Sequence, residues 1–446
     1  MRYPTLKTTL IRLLLPGLIL LGTLGIPVQT EAQSLAHDRE ARFGKGVNLS
    51  NWLEAYWLGG NWPEPARYDK QDLQAIKDAG MQTIRAPFCF AIITDTVAPY
   101  NVDFAHPAIA WLDSLVQWCD DLQLNLIIDN QHEWNLTNAN YQAKILVMTA
   151  MWRQVVNRYA SLDPERYFFE VRNGPPVGLL PANADAVNTA CIDTIRQYDQ
   201  VHTLIVGPHT ASIGSSFLTF QPYADTNLIY TFHTYEPLYF THQGFPWFQI
   251  PFPTGTPFPL IGDDALVRGS VQAPADWRDT HNRPVFMGEF GTGIHGDADS
   301  RCNWVTLMGE LIDEFDFNWC YWDWGGVAPS DFSMFNAQPP TSGNIIPCFA
   351  EALGLYTPTG APGTAEASWL EVWPNPVEDV LHIRAEERMQ ITLLEVVDLH
   401  GKVVLSREEI RGITLALDVE GLVSGWYLLR VSNGQGQTAV HPFMRR

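Results

Sequence analysis

The chain has 446 residues and a formal net charge of −21, so a polyanionic partner such as nucleic acid would be repelled. Hydrophobic residues make up 46% of it, which excludes a disordered polymer and allows two or three globular domains with sizeable cores. Its 16 Trp exceed ordinary core needs and supply flat apolar surfaces of the kind that stack on sugar rings.

The first segment carries Arg2, Lys7 and Arg12 ahead of an apolar stretch from Leu13 to Leu24 that Pro16 interrupts. That stretch is too short and too broken for a good membrane span. With the small-residue site Thr30-Glu31-Ala32 it predicts a secretory signal peptide over 1–32, a membrane anchor being the alternative. From Arg42 onward, short apolar runs alternate with helical periodicity. The expected strands are Phe43–Leu49, Thr83–Pro87, Leu124–Asp129, Tyr167–Arg172, Thr203–Gly207, Leu228–Phe232, Val285–Glu289 and Trp319–Asp323. Expected helices cover Asp69–Ala79, Trp111–Leu122, Ile145–Tyr159, Ala186–Tyr198 and Trp304–Phe315. Strands separated by helices in this way predict an α/β fold, an eightfold (β/α)8 TIM barrel over 33–355. An open doubly wound sheet is the runner-up, but no Gly-rich phosphate turn follows the first strand.

The segment His242–Pro259, rich in Pro, Gly, Phe and Trp, reads either as a cleft-lining loop or as a self-packed one. Residues 356–368 are a Pro/Gly/Thr/Ala linker. After it, over 369–446, six short alternating strands are expected: Leu381–Arg384, Ile391–Asp398, Lys402–Ser406, Thr414–Asp418, Trp426–Ser432 and Thr438–Phe443. They predict a small all-β sandwich. Of the six cysteines, Cys302 and Cys348 flank loop-like segments and form the best candidate disulfide, the other four reading as buried thiols. No Cys/His cluster has zinc spacing, and neither a metal nor a cofactor is expected.

Two strand ends carry chemistry. Pro284 to Gly291 reads Pro-Val-Phe-Met-Gly-Glu-Phe-Gly, an apolar run that delivers one carboxylate, Glu289, to the C-terminal end of a strand, where barrels hold their reacting groups. Tyr167 to Pro176 reads Tyr-Phe-Phe-Glu-Val-Arg-Asn-Gly-Pro-Pro. The pair resembles the active-site strands of glycoside hydrolase family 5, which end in Asn-Glu-Pro and Gly-Glu-Phe-Gly. The resemblance implies a retaining hydrolase of β-linked polysaccharide with Glu289 as nucleophile. It further implies that Arg85 keeps Glu289 ionised, that Asn173 meets the sugar 2-hydroxyl, and that His233 supports the acid/base while Tyr235 hydrogen-bonds the nucleophile. Trp322 would lie under the reacting sugar. His132 is carried over from a family pair of histidines whose first member is replaced by Gln131.

The larger departure is Gly174, which stands where the family keeps its general acid/base Glu. Losing such a group typically costs about 10²–10⁴-fold in rate. Two readings stay open: a hydrolase impaired at protonation, or a non-catalytic glycan-binding protein. A third uses the barrel only as an adhesin scaffold. Restoring Gly174→Glu is expected to recover polysaccharide cleavage, and the vacated space is expected to admit a small anion such as azide. Among substitute acids, Glu170 lies four residues back on its strand, roughly 13 Å deeper, whereas Glu54, Glu133 and Glu236 lie near strand ends.

The C-terminal motifs Trp373-Pro-Asn-Pro376, Val397-Asp-Leu-His-Gly401 and Ser424-Gly-Trp-Tyr-Leu-Leu-Arg430 resemble the sorting domain of the type IX secretion system. A carbohydrate-binding sandwich is the alternative. The resemblance implies engagement of the type IX machinery and delivery of a monomer to the cell surface or the medium.

Overall fold

The structure, a computed structural model, describes residues 34–56, 62, 67–132, 135–246, 251–325, 330–335, 340–355, 370–385, 391–397, 403–408, 414–433 and 438–446. The expected signal peptide, the linker 356–368 and the candidate Glu133 lie outside the described residues.

Eight parallel strands close into a barrel in chain order. They are β1 (Lys45–Asn48), β2 (Thr83–Phe88), β3 (Asn125–Asn130), β4 (Tyr167–Glu170), β5 (Leu204–Val206), β6 (Leu228–Thr234), β7 (Val285–Phe290) and β8 (Trp319–Tyr321). Around it run the helices α1 (Leu35–Glu40), α2 (Lys70–Asp78), α3 (Pro107–Leu122), α4 (Tyr141–Tyr159), α5 (Pro181–Tyr198), α6 (Leu238–Thr241), α7 (Asp263–His281), α8 (Ala298–Phe315) and α9 (Pro347–Ala352). Local signals set these ends. Asp69 and Asp72 form a reciprocal capping box at the start of α2, which satisfies two orphan N–H donors. Pro107 opens α3 behind His106, whose ring accepts the Ala108 N–H. Helix α7 was not among the expected helices; it follows the Pro/Gly/Phe/Trp-rich segment. Its Asp263-Asp264 start and Arg278/His281 end suit the helix dipole, while the internal Pro274 hides it from a reading by propensity.

The barrel interior is layered. Ile127, Phe168, Ile205, Ile229, Phe286 and Cys320 fill the bottom, with Phe43 and Ala36 of the N-terminal segment closing it from below. Phe43 packs edge-on against Phe168 and Phe286, at 4.7 and 5.2 Å between ring centres. Because side chains on a strand alternate with a period of two, the residue two positions further on points the same way one layer higher. That second layer is polar: Asp129 follows Ile127, Glu170 follows Phe168, and Thr231 follows Ile229. The apolar plug below leaves these polar groups reachable only from the C-terminal rim.

Helices α8 and α9 are tied by the expected disulfide between Cys302 and Cys348, with Cα atoms 5.7 Å apart. Cys89, Cys119, Cys191 and Cys320 are buried and outside any disulfide. The C-terminal part forms two sheets, one ordered β13-β10-β9 and the other β12-β11-β14-β15. Their strands are β9 (Leu370–Trp373), β10 (Val380–Ala385), β11 (Ile391–Val397), β12 (Val403–Glu408), β13 (Thr414–Asp418), β14 (Gly425–Asn433) and β15 (Thr438–Arg445). Strand β9 is additional to the six expected; it lies within the expected sandwich domain, and its four residues end directly at Pro374. Leu381, Ile383, Leu394, Val396, Leu429 and Phe443 are among the buried residues between these sheets.

Candidate active site

Glu289 reaches the barrel axis through an irregularity in β7. Along a regular strand Phe286 would be followed inward by position 288, which is glycine. Pairing with β6 instead shifts register, Met287 opposite Phe232 and then Glu289 opposite His233. Such a bulge re-aims the next side chain. A Cβ at Gly288 would lie 2.3 Å from the Thr231 hydroxyl oxygen, so only glycine permits this turn, and the carboxylate of residue 289 takes the inward position.

Arg85, wholly buried, gathers the polar layer into one network. Its Nε and Nη2 donate to the two carboxylate oxygens of Glu170 at 2.7 and 2.8 Å. Nη2 also donates to Asn173 Oδ1 at 2.9 Å, and Nη1 donates to Asn48 Oδ1 at 2.9 Å and to Glu289 Oε1 at 2.8 Å. Asp129 Oδ2 lies 3.0 Å from Nη2. The other oxygen of Glu289 accepts the Tyr235 hydroxyl at 2.9 Å. Glu289 is 7% exposed, enough to meet a ligand from above while its base is clamped from below.

One guanidinium here faces three carboxylates. Burial pushes Asp129 well above the usual carboxylate range, more than Arg85 pulls it down. At Glu289 Arg85 lowers the pKa, as expected, and so does the Tyr235 hydroxyl, but burial raises it by more. Glu170 is thereby committed to Arg85 by a bidentate pair and is not a spare acid.

The flanking histidines are uncharged. Burial, with the Arg85 charge adding to it, lowers His233 and His132 to about 3. His233 Nδ1 lies 3.6 Å from Glu289 Oε2, and its buried Nε2 has no hydrogen-bond partner among the described residues. Gln131, the departure from the histidine pair, meets His132 Nε2 through its side-chain nitrogen at 3.1 Å. Trp322 follows β8 and is held by its neighbour: the buried Asp323 accepts hydrogen bonds from the Ser50 and Ser330 hydroxyls. Glu54 is buried, accepts the backbone N–H groups of Asn51 and Trp52, and is raised by burial to about 7.

Glu289 stands where two cavities meet. One, of about 700 Å³, includes Asn51, Glu54, Trp322, Asp331 and Phe332 in its lining. The other, of about 770 Å³, includes Gly174, Pro175, Ala211, Ile213, Glu236 and Leu266. His132, Tyr235, His242 and Glu289 border both. An extended ligand laid across both cavities would present an internal bond at Glu289.

Gly174 borders the second cavity, but the space expected beside it is filled. A Cβ there would come within 2.4, 2.6 and 2.7 Å of Ala211 main-chain atoms. The Ala211 N–H donates to Pro175 O at 2.7 Å. Thr210, Ala211 and Ser212 hold φ of 67°, 51° and 54°, a run of left-handed residues that carries the main chain across the glycine. The vacancy inferred from sequence is therefore corrected: backbone, not solvent, occupies the direction a side chain would take.

All eight residues singled out from the sequence converge on this rim: Arg85, Tyr235 and His233 surround the Glu289 carboxylate, Asn173 is held by Arg85, and His132, Trp322 and Gly174 lie along the cavities. Asn48, Asp129, Asp323 and Ser330 were missed. A signal existed for Asp129, two residues beyond the inward Ile127. None existed for Ser330, which sits in an irregular segment.

Residues 41–327 match the family model described as Cellulase (glycosyl hydrolase family 5). Residues 371–442 match the Secretion system C-terminal sorting domain, which points to export. The chain is similar to endoglucanase 3 of Fibrobacter succinogenes, at 29% identity over 360 residues, 70% of this chain and 52% of that protein. It spans about half the length of that relative. Similarity to endoglucanase C of Acetivibrio thermocellus is 22% over 341 residues, 68% of this chain and 97% of the relative. Among solved structures, a hyperthermophilic endo-beta-1,4-glucanase in complex with substrate superimposes with a TM-score of 0.63 at 25% identity, covering 72% of this chain and 99% of that one. A Thermotoga maritima structure in complex with cellobiose shares the fold, with a TM-score of 0.63 at 24% identity, covering 71% of this chain and 99% of that one.

Proposed function

Because this chain belongs to glycosyl hydrolase family 5, the cellulase family, we propose that it is an exported retaining hydrolase of β-linked glucan with Glu289 as its nucleophile. The observation that carries this reading is the setting of Glu289. One oxygen is clamped by Arg85 and the other by Tyr235, 2.8 and 2.9 Å away, at the junction of two cavities. A carboxylate fixed on both sides is pre-aimed at an anomeric carbon laid over it. Arg85 holds its ground-state charge. Tyr235 positions the oxygen that does not attack. Asn173, fixed by Arg85, faces the sugar 2-hydroxyl, and Trp322 offers the stacking surface. His132 and His233 are neutral and act through position. The endoglucanase names of the relatives favour a β-1,4-linked glucan as substrate.

The main chain packed against Gly174 favours a second reading, a glycan-binding protein that has kept the cleft and lost turnover. A dinitrophenyl 2-fluoro-β-cellobioside separates the two. Under the hydrolase reading it labels Glu289, found by peptide mass. Binding of cello-oligosaccharides without any label would overturn that reading, and a label on another carboxylate would overturn the assignment. For export, the type IX machinery would read the segment from Trp373 onward. A chain ending at Leu355 should bind the same sugars yet stay in the periplasm, and its normal delivery to the surface would refute the sorting role.

A further inference from the structure

We propose that Glu236 supplies the acid/base function that Gly174 cannot. The inference rests on the hydrolase reading above. A retaining mechanism needs a second carboxyl group on the leaving-group side of the nucleophile. Trp322, the stacking surface, marks the first cavity as the side of the reacting sugar. The second cavity, which Gly174 borders, is then the leaving-group side.

Elimination singles out one group there. Glu54 and Asp331 line the sugar side only, and both Glu54 oxygens are occupied by backbone N–H donors. Glu170 is spent on Arg85, and Asp323 on two serine hydroxyls. Among the described residues, the carboxylates lining the second cavity are those of Glu289 and Glu236. It is half-buried, and among the described residues its side chain makes no hydrogen bond or ion pair. Its position is nevertheless fixed. The residue follows Tyr235, whose hydroxyl holds Glu289, and its carbonyl accepts the Trp304 indole N–H at 2.8 Å. An anchored backbone, an uncommitted carboxyl and a shared cavity are what a proton donor needs.

The chemistry closes. Glu289 attacks C1 and the C1–O bond breaks. The bonding pair goes to the glycosidic oxygen, which takes the Glu236 proton, and the shortened sugar leaves. Glu236, now a carboxylate, takes a proton from water as the water oxygen attacks C1, and the ester to Glu289 breaks. One water is consumed and both carboxyl groups return to their starting state.

The test compares the full chain with Glu236→Gln and Glu236→Ala on cello-oligosaccharides and on 2,4-dinitrophenyl β-cellobioside. The expected results are a loss of about 10²–10⁴-fold on the oligosaccharide, unchanged burst release of dinitrophenolate, and azide acceleration of Glu236→Ala with β-cellobiosyl azide as product. Equal losses on both substrates would indicate a structural role and overturn the proposal. So would unchanged oligosaccharide turnover, a parent chain that takes the Glu289 label but never turns over oligosaccharide, or the same pattern appearing in Glu133→Gln instead. Failure of Glu289 to label at all marks failure of the hydrolase reading itself, and the proposal falls with it.

Discussion

Gly174→Ala tests the packing at the missing acid/base. The added Cβ would lie 2.4 Å from the Ala211 carbonyl carbon. Ordinary contact begins near 3.4 Å, so the main chain at 211 must retreat by about 1 Å. It has little freedom to do so, since its N–H is bonded to Pro175 O and its neighbours on both sides are already left-handed. Overpacking of this kind costs about 1–3 kcal/mol. In a domain of this size each kcal/mol lowers Tm by roughly 1–2 °C. Urea denaturation followed by tryptophan fluorescence measures the difference directly. The Glu version carries the same clash, so Gly174→Glu is expected to leave oligosaccharide turnover low, contrary to what sequence alone suggested. Two results would refute this reasoning: a Gly174→Ala chain as stable as the parent, or a gain of about 10²-fold or more in turnover from Gly174→Glu, the scale of a restored acid/base.

Arg85→Met should unfold or severely weaken the barrel, by about 3–5 kcal/mol or more, because it strands buried carboxylates without their cation; denaturation curves check this. Trp322→Ala should weaken cello-oligosaccharide binding in calorimetry by about 1–3 kcal/mol while leaving the fold intact, the scale of one ring stacked on an aromatic face. Glu54 links stability to pH. An unfolded Glu ionises near 4.5 and the folded one near 7, so the folded state keeps a proton that the unfolded state has lost. The stability tied to that proton is fully present below pH 4.5 and is lost as pH rises to about 7, a total of about 3 kcal/mol. Glu54→Gln should therefore gain on the parent across that window, and a flat difference would contradict the assigned burial effect. The acid limb of kcat/KM should lie above the ordinary Glu value, following the raised Glu289 pKa, and a limb at or below it would mean that Arg85 outweighs burial.

Much of this was legible because its causes are local. Gly288-Glu289-Phe290-Gly291 carries its own bulge, and the strands announce themselves as apolar runs. Capping residues fixed α2 within a residue at either end. What was hidden depends on contacts far apart in the chain. Glu170 was set aside from sequence for its depth alone; that Arg85, 85 positions earlier, holds it in a bidentate pair was not legible. Ala211 fills the space at Gly174 only because β4 and β5 are neighbours in the barrel. The sign of the Glu289 shift comes from burial, which outweighs Arg85 and Tyr235, and Asp129 is seen to share that guanidinium only once the layers are stacked.

The link between Cys302 and Cys348 encloses a ring of the chain separated by 46 positions. Inside that ring lie β8, Asp323 and Ser330, together with Trp322, Asp331 and Phe332 of the first cavity's lining. A protease that nicks the chain anywhere within it severs one peptide bond but releases no fragment. The two ends remain joined, and Asp323 keeps its hydrogen bond from Ser50. Closing a loop of this length also removes about 4 kcal/mol worth of freedom from the unfolded chain in the entropic account. A cut and a reductant together should therefore do what neither does alone: make this part of the cleft lining separable from the rest of the barrel.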